Sequence, residues 1–220
     1  MPRTKANCRG YSPRKVNTRE IKQRFLIVCE GAKTEPNYFR SFRVPKNVAE
    51  IDVQGLGENP SKLVQSAKEL NKQEDYDQVW CVFDRDSWTT EDFNNAIKNA
   101  EDQGFKVAYS NESFELWYLL HFEFLNTGIP RSDYLKKLTS LFGRTYQKNS
   151  ETIYDELFEK QAIAIRNAEN LLKQYDPHIP AKDNPCTTVH KLVNALNEFI
   201  PKTESVCTVS GKPPFLAEDY

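Results

Sequence analysis

The sequence predicts an α/β protein, a parallel and doubly wound sheet over residues 24–125 followed by an α-helical subdomain over 126–200. Three observations carry this. Two short apolar runs, Phe25-Leu26-Ile27-Val28-Cys29 and Val79-Trp80-Cys81-Val82-Phe83, each end abruptly on an acid, Glu30 and Asp84. Runs of that kind suit strands buried on both faces of a sheet. Between and after them lie segments with apolar residues three and four apart, the strand–helix alternation with short loops that a parallel sheet requires. Beyond about residue 125 no strand pattern appears and only helical spacing remains.

The elements follow in order. After Glu30-Gly31, Thr34 can cap a helix that Pro36 enters early and whose apolar face is Tyr38, Phe39 and Phe42. Residues 50–55 read as the second strand, and Pro60-Ser61 opens a helix with Leu63, Val64, Ala67 and Leu70 on one face. The third strand runs into Asp84-Arg85-Asp86. Thr89 or Thr90 then caps a helix that buries Phe93, Ala96, Ile97 and Ala100 and stops at Gly104. Phe105–Tyr109 gives a fourth strand and Ser113–Leu120 an apolar helix. Helical spacing returns over 131–142, 151–175 and 186–200, the last entered through Asn184-Pro185. Residues 1–23 form a basic arm, and 201–220, with three prolines, an irregular tail.

The chain of 220 residues has 30 Lys and Arg against 31 Asp and Glu. That balance excludes a uniformly basic nucleic-acid binder but leaves room for a basic patch. The charge is unevenly spread: residues 1–23 carry a net +6, so the body carries −7. A basic arm before an acidic body suits a phosphate backbone, with Arg14, Lys15 and Arg19 as candidate contacts; the alternative is a solvated tail. Mean hydropathy is −0.69, yet 12% of residues are aromatic, which points to a packed core and not to disorder. No stretch of 18 apolar residues and no signal-peptide core is present. The five cysteines lack the spacing of a disulfide framework or zinc site, so a cytoplasmic location is expected. The three histidines are too dispersed for a zinc triad, and Walker A, GxSxG and GxGxxG motifs are absent.

Chemistry is left to acids at strand ends, where open α/β sheets bind ligands. Asp84 and Asp86 are two apart, so an extended backbone points both carboxylates the same way and Arg85 the other, toward a salt bridge. Clustered carboxylates with little compensating cation suit Mg²⁺, or Mn²⁺ in its place; alternatively, such acids simply cap neighbouring helices. Gly31 either leaves room for a phosphate or supplies a turn. Lys33, on the same loop, either touches a scissile phosphate or is solvated. Trp88 is either a base-stacking platform or core, and Lys182 is a weaker candidate for reaching the site.

Glu30-Gly31 after the first strand with Asp84-Arg85-Asp86 after the third resembles the layout of a Toprim domain. Glu30, Glu35 and Ser113-x-Glu115 are similar to the pattern of Toprim nucleases of the overcoming-lysogenization-defect type, where such residues hold two metals. More closely, CEGAKTEPNYF (29–39), SNESFELWYLLHFEF (110–124) and NPCTTVHKLV (185–194) resemble the RloB-like family of bacterial restriction and phage-defence loci, over nearly the whole chain. The resemblance implies a Toprim-type sheet with a helical C-terminal subdomain and a divalent-metal-dependent nuclease acting on DNA or RNA in antiphage, abortive-infection defence. Glu30 becomes a metal ligand or the acid/base, Asp84 and Asp86 hold the principal ion, and Glu35 with Glu115 tunes a second; Glu112 competes with Glu115 for that place. An ATPase or sensor subunit encoded nearby is an implied partner. The alternative is a catalytically inactive Toprim scaffold or nucleic-acid-binding subunit. A phosphoacceptor receiver fits less well, because a glutamate follows the first strand and helices fill the chain after residue 113.

Overall fold

The computed structural model describes residues 22–86 and 88–201. The elements are β1 (Gln23–Cys29), α1 (Thr34–Arg40), β2 (Ala49–Gly55), α2 (Pro60–Gln73), β3 (Gln78–Asp84), α3 (Thr90–Asp102), β4 (Lys106–Asn111), α4 (Glu115–Leu119), α5 (Arg131–Phe142), α6 (Ile153–Leu157), α7 (Gln161–Leu172), β5 (Cys186–Thr187) and α8 (Val189–Asn197). A single 3₁₀ turn, Phe158–Lys160, separates α6 from α7. The five strands lie in the order β2-β1-β3-β4-β5, with β1 to β4 parallel and β5 antiparallel to β4.

Alternation along the strands divides the core in two. Phe25, Ile27 and Cys29 of β1, with Trp80 and Val82 of β3, join α1, α4, α5, α7 and α8 in one cluster. Leu26 and Val28, with Val79, Cys81 and Phe83, face Leu63, Val64 and Ala67 of α2 and Phe93, Ala96 and Ala100 of α3. Both faces of β1 and β3 are therefore covered, as their unbroken apolar sequence requires. Each fully buried side chain of this size contributes roughly 1.5–3 kcal/mol.

Local signals explain the ends of α2 and α3. Asn59 caps α2 by accepting from the Lys62 N–H, and Thr89 caps α3 by accepting from the Asp92 N–H. Gly104, with φ of +76°, takes the left-handed turn after α3. Three features differ from the sequence expectation. Thr34 does not cap α1 but is its first residue, with Lys33 at the cap position and no side-chain cap bond. The helical stretch over 151–175 is broken at Phe158–Lys160. Residues 186–187 also form a strand, because Thr187 and Thr188 bond back to β4: the Thr188 N–H donates to the Tyr109 carbonyl (2.8 Å) and the Tyr109 N–H to Thr188 Oγ1 (2.9 Å). The C-terminal helices thus share both the sheet and its core. Among the described residues, no helix is long and apolar enough to cross a membrane.

Candidate active site

The sheet order places a reversal between β1 and β3: the chain leaves β1 for β2 on one side, then returns to lay β3 on the other. Helices that follow those two strands diverge, and a crevice opens at their carboxyl ends. Glu30 and Asp84 stand there. The Glu30 N–H donates to the Val82 carbonyl (2.8 Å), which extends the β1–β3 pairing and fixes where its side chain leaves the sheet.

A cavity of about 360 Å³ fills the crevice, lined by Glu30, Gly31, Lys33, Glu35, Asp84 and Asp86 from the sheet side and by Arg131, Lys148 and Asn149 from the helical side. Both Glu30 oxygens are engaged: Oε2 accepts from the Asp84 N–H (3.0 Å) and Oε1 from Trp88 Nε1 (2.9 Å). Trp88 is thereby a brace for Glu30. Burial raises the Glu30 pKa, opposed by those two bonds, which favour the ionised form.

Asp84 is buried and its Oδ2 accepts from the Phe114 N–H (3.0 Å). Glu35, on the first turn of α1, is 5% exposed, and its Oε2 has no hydrogen-bond partner. Glu115, the first residue of α4, is fully buried, with both carboxylate oxygens unpartnered. These three acids feel one another. Burial, then Glu35, Glu115 and Glu30, holds Asp84 well above the ordinary aspartate range, while burial and Glu115 push Glu35 up to about 7.

Gly31 belongs to this arrangement through space and not through turn geometry. A Cβ placed on it falls 2.0 Å from Glu35 Oε2, so the Glu35 carboxylate lies where any other residue's side chain begins.

The extended Asp84-x-Asp86 geometry is not what forms. Asp84 ends β3, and Asp86 has a positive φ of 33°, so the chain has already turned. Asp84 points inward to Phe114, and Asp86 meets Arg131, with Nη1 2.6 Å from Oδ2. Both still reach one cavity. Arg85 stands away from it, as alternation requires, but lies over the Phe93 ring instead of in a salt bridge.

The choice between Glu112 and Glu115 is geometric. The Asp86 N–H donates to the Glu112 carbonyl (3.1 Å), and Glu112 lines a second, adjoining groove of about 250 Å³ with Arg85, Asp86, Asn111, Lys182 and Asn184. Glu115 is the residue near Asp84 and Glu35. Lys182 belongs to the adjoining groove, and Arg14, Lys15 and Arg19 lie outside the described residues. Arg131 and Lys148, which sequence reading passed over, complete the cavity: Lys148 Nζ is 3.6 Å from Glu115 Oε1.

Among the described residues, no three His, Cys, Asp or Glu side chains already surround a common point. The donor set still has the chemistry of a hard-cation site: buried carboxylate oxygens without partners on Glu35 and Glu115, next to the buried Asp84. A family model described as RloB-like protein matches residues 25–196, from the first strand to the last helix. No curated protein and no solved structure matches the chain.

Proposed function

The chain belongs to the RloB-like family, and from that membership together with the carboxylate cavity we propose that it is a divalent-metal-dependent nuclease of the Toprim class, acting in antiphage defence. One observation carries the reading: Glu35, Asp84 and Glu115 are buried together at the sheet's reversal point, with three carboxylate oxygens left unpartnered. Burying such groups without compensation is costly, and a divalent cation relieves that cost.

Asp84, Glu35 and Glu115 are the residues to hold Mg²⁺ or Mn²⁺, with Asp86 and Glu30 at the cavity's edge. When bound, such ions stabilise charge on the phosphoryl oxygens of an in-line displacement. Glu30 has a different part. Its position is set by the Asp84 N–H and Trp88 Nε1, and its raised pKa suits a group that takes a proton from attacking water and returns it. Lys33 makes no ion pair among the described residues, so its ammonium is available to a phosphate oxygen at the same cavity.

The test is cleavage of plasmid DNA, single-stranded DNA and total transfer RNA by wild type, Glu30→Ala and Asp84→Ala, with Mg²⁺ or Mn²⁺. Cutting by wild type that needs the metal and is lost in both folded variants is the expected result. Metal-dependent cutting that survives in either variant overturns the assignment.

A further inference from the structure

Two cations reach into the cavity from the helical half, and each lies near a carboxylate that the metal reading needs. Arg131 Nη1 is 2.6 Å from Asp86 Oδ2. Lys148 Nζ stops 3.6 Å from Glu115 Oε1, beyond hydrogen-bonding distance, and both Glu115 oxygens stay unpartnered. The Lys148 side chain is 46% exposed while that of Glu115 is 1% exposed. A solvated ammonium is thus reaching in toward a buried acid without closing on it.

We propose that Arg131 and Lys148 balance the cavity's acids when no metal is bound and become the grip on the substrate's phosphodiester once the metal binds. The proposal rests on the metal-dependent reading above. Charge balance drives the exchange. Five carboxylates (Glu30, Glu35, Asp84, Asp86 and Glu115) face three cations (Lys33, Arg131 and Lys148), which leaves the site two positive charges short when all are ionised. A divalent ion at the buried acids supplies that deficit and competes with Arg131 and Lys148 for their partners. The two released cations then face the cavity beside the ion, where an anion is the partner that satisfies them.

Their chemistry fits a phosphodiester. A guanidinium offers a planar fork to two phosphate oxygens, and an ammonium serves as a point charge. Arg131 is also the first residue of α5, whose capping residue Pro130 supplies no side-chain acceptor, so the helix's own N–H groups add positive potential there. The Lys148 backbone is held in place: Asn37 Nδ2 donates to the neighbouring Asn149 carbonyl (3.2 Å), and Arg144 pairs with Glu156 at 2.6 Å.

The decisive feature is a pair of effects with opposite signs. Removing either cation should tighten binding of the metal and weaken binding of nucleic acid. Calorimetric titration with Ca²⁺, and anisotropy of labelled oligothymidylate and oligouridylate in excess Ca²⁺ or in EDTA, measure both. Ca²⁺ should strengthen oligonucleotide binding to wild type by about tenfold. Arg131→Gln and Lys148→Gln should each lose most of that gain while binding Ca²⁺ more tightly, and Arg131→Lys should recover part of it. The two oligonucleotides distinguish deoxyribose from ribose backbones. If wild type binds no Ca²⁺, the metal reading and this proposal fall together. If Ca²⁺ binds and neither variant moves either affinity, the exchange alone is wrong. Parallel loss of both affinities, in variants whose unfolding temperature matches wild type, assigns the two residues a structural role and also overturns it.

Discussion

The two faces of the sheet are built to different standards. On the α2–α3 face, polar groups that enter the core find partners. Tyr109 Oη bonds to His178 Nε2 (2.6 Å), Asp183 Oδ2 pairs with His178 Nδ1 and accepts from the Ile179 N–H (2.8 Å), and Tyr175 Oη donates to the Pro185 carbonyl (3.0 Å). Among the described residues, only Arg85 Nε and Asn94 Oδ1 are left buried without partners on that side. The opposite face leaves unpartnered atoms on Glu35 and Glu115, and also on Tyr38, Trp117, His121 and Tyr154 away from the cavity lining. One face is finished by the chain itself; on the proposed reading, the other is completed by a metal ion.

The largest expected effect separates the two faces by sign. Glu115→Gln removes a buried charge that only the half-exposed Lys148 approaches among the described residues, at 3.6 Å, so the metal-free protein should unfold at a higher temperature while metal-dependent cleavage drops by about 100-fold. Asp183→Ala does the reverse on the finished face. It strands His178 and the Ile179 N–H, should cost about 2 kcal/mol of stability, and should leave cleavage by the still-folded protein unchanged at low temperature. Thermal unfolding in EDTA and an initial-rate assay read both. A Glu115→Gln variant that is both destabilised and active removes the distinction.

A smaller effect follows from pH. Glu35 titrates near 4.5 in the unfolded chain and is held up to about 7 in the folded one. Below 4.5 it is protonated in both states, and its burial carries no ionic penalty. Between those values the folded state keeps a proton that the unfolded state has released, so stability falls as pH rises and levels off above 7. The loss amounts to about 3 kcal/mol for a shift of this size. Urea unfolding in EDTA from pH 4 to 8 should show the decline. Saturating Mg²⁺ should flatten it, because a bound ion favours the ionised carboxylate. A metal-free stability that rises over the same window contradicts an uncompensated acid at Glu35.

Much of this contrast was visible before any coordinates. Apolar runs cut off by Glu30 and Asp84 are a strong local signal, and they located both strands and the sheet edge where the cavity opens. Glu35 and Glu115 entered only through the resemblance to Toprim nucleases. What escaped reading has physical reasons. A two-residue strand, Cys186–Thr187, is too short to show any periodicity and forms where Thr187 and the following Thr188 bond to β4. The turn of the chain at Asp86 depends on a positive φ that its residue type does not demand. The separation of Glu112 from Glu115 depends on α4 starting at Glu115 instead of before it. Arg131 and Lys148 come from helical-half segments with no sequence link to the strand ends, although one clue was present. Arg131 is a cation in the first turn of a helix, where the macrodipole disfavours it, and a residue placed against local preference tends to serve something elsewhere.

The smallest predicted effect tests the finest detail of the unfinished face. Gly31→Ala puts a methyl group where Glu35 Oε2 now lies, 2.0 Å from the new Cβ. The clash is with the end of a flexible side chain, so the carboxylate moves and the fold survives, at a cost below about 1 kcal/mol. Cleavage should fall about fivefold because Glu35 is displaced, an effect on position and not on charge. A double-mutant cycle decides whether that is the route. In a Glu35→Gln background the same Gly31→Ala change should lower the residual rate no further, since the group it displaces has already lost its function. Equal losses in both backgrounds would mean that Gly31 matters for room around the substrate itself, and the close approach to Glu35 would then be incidental.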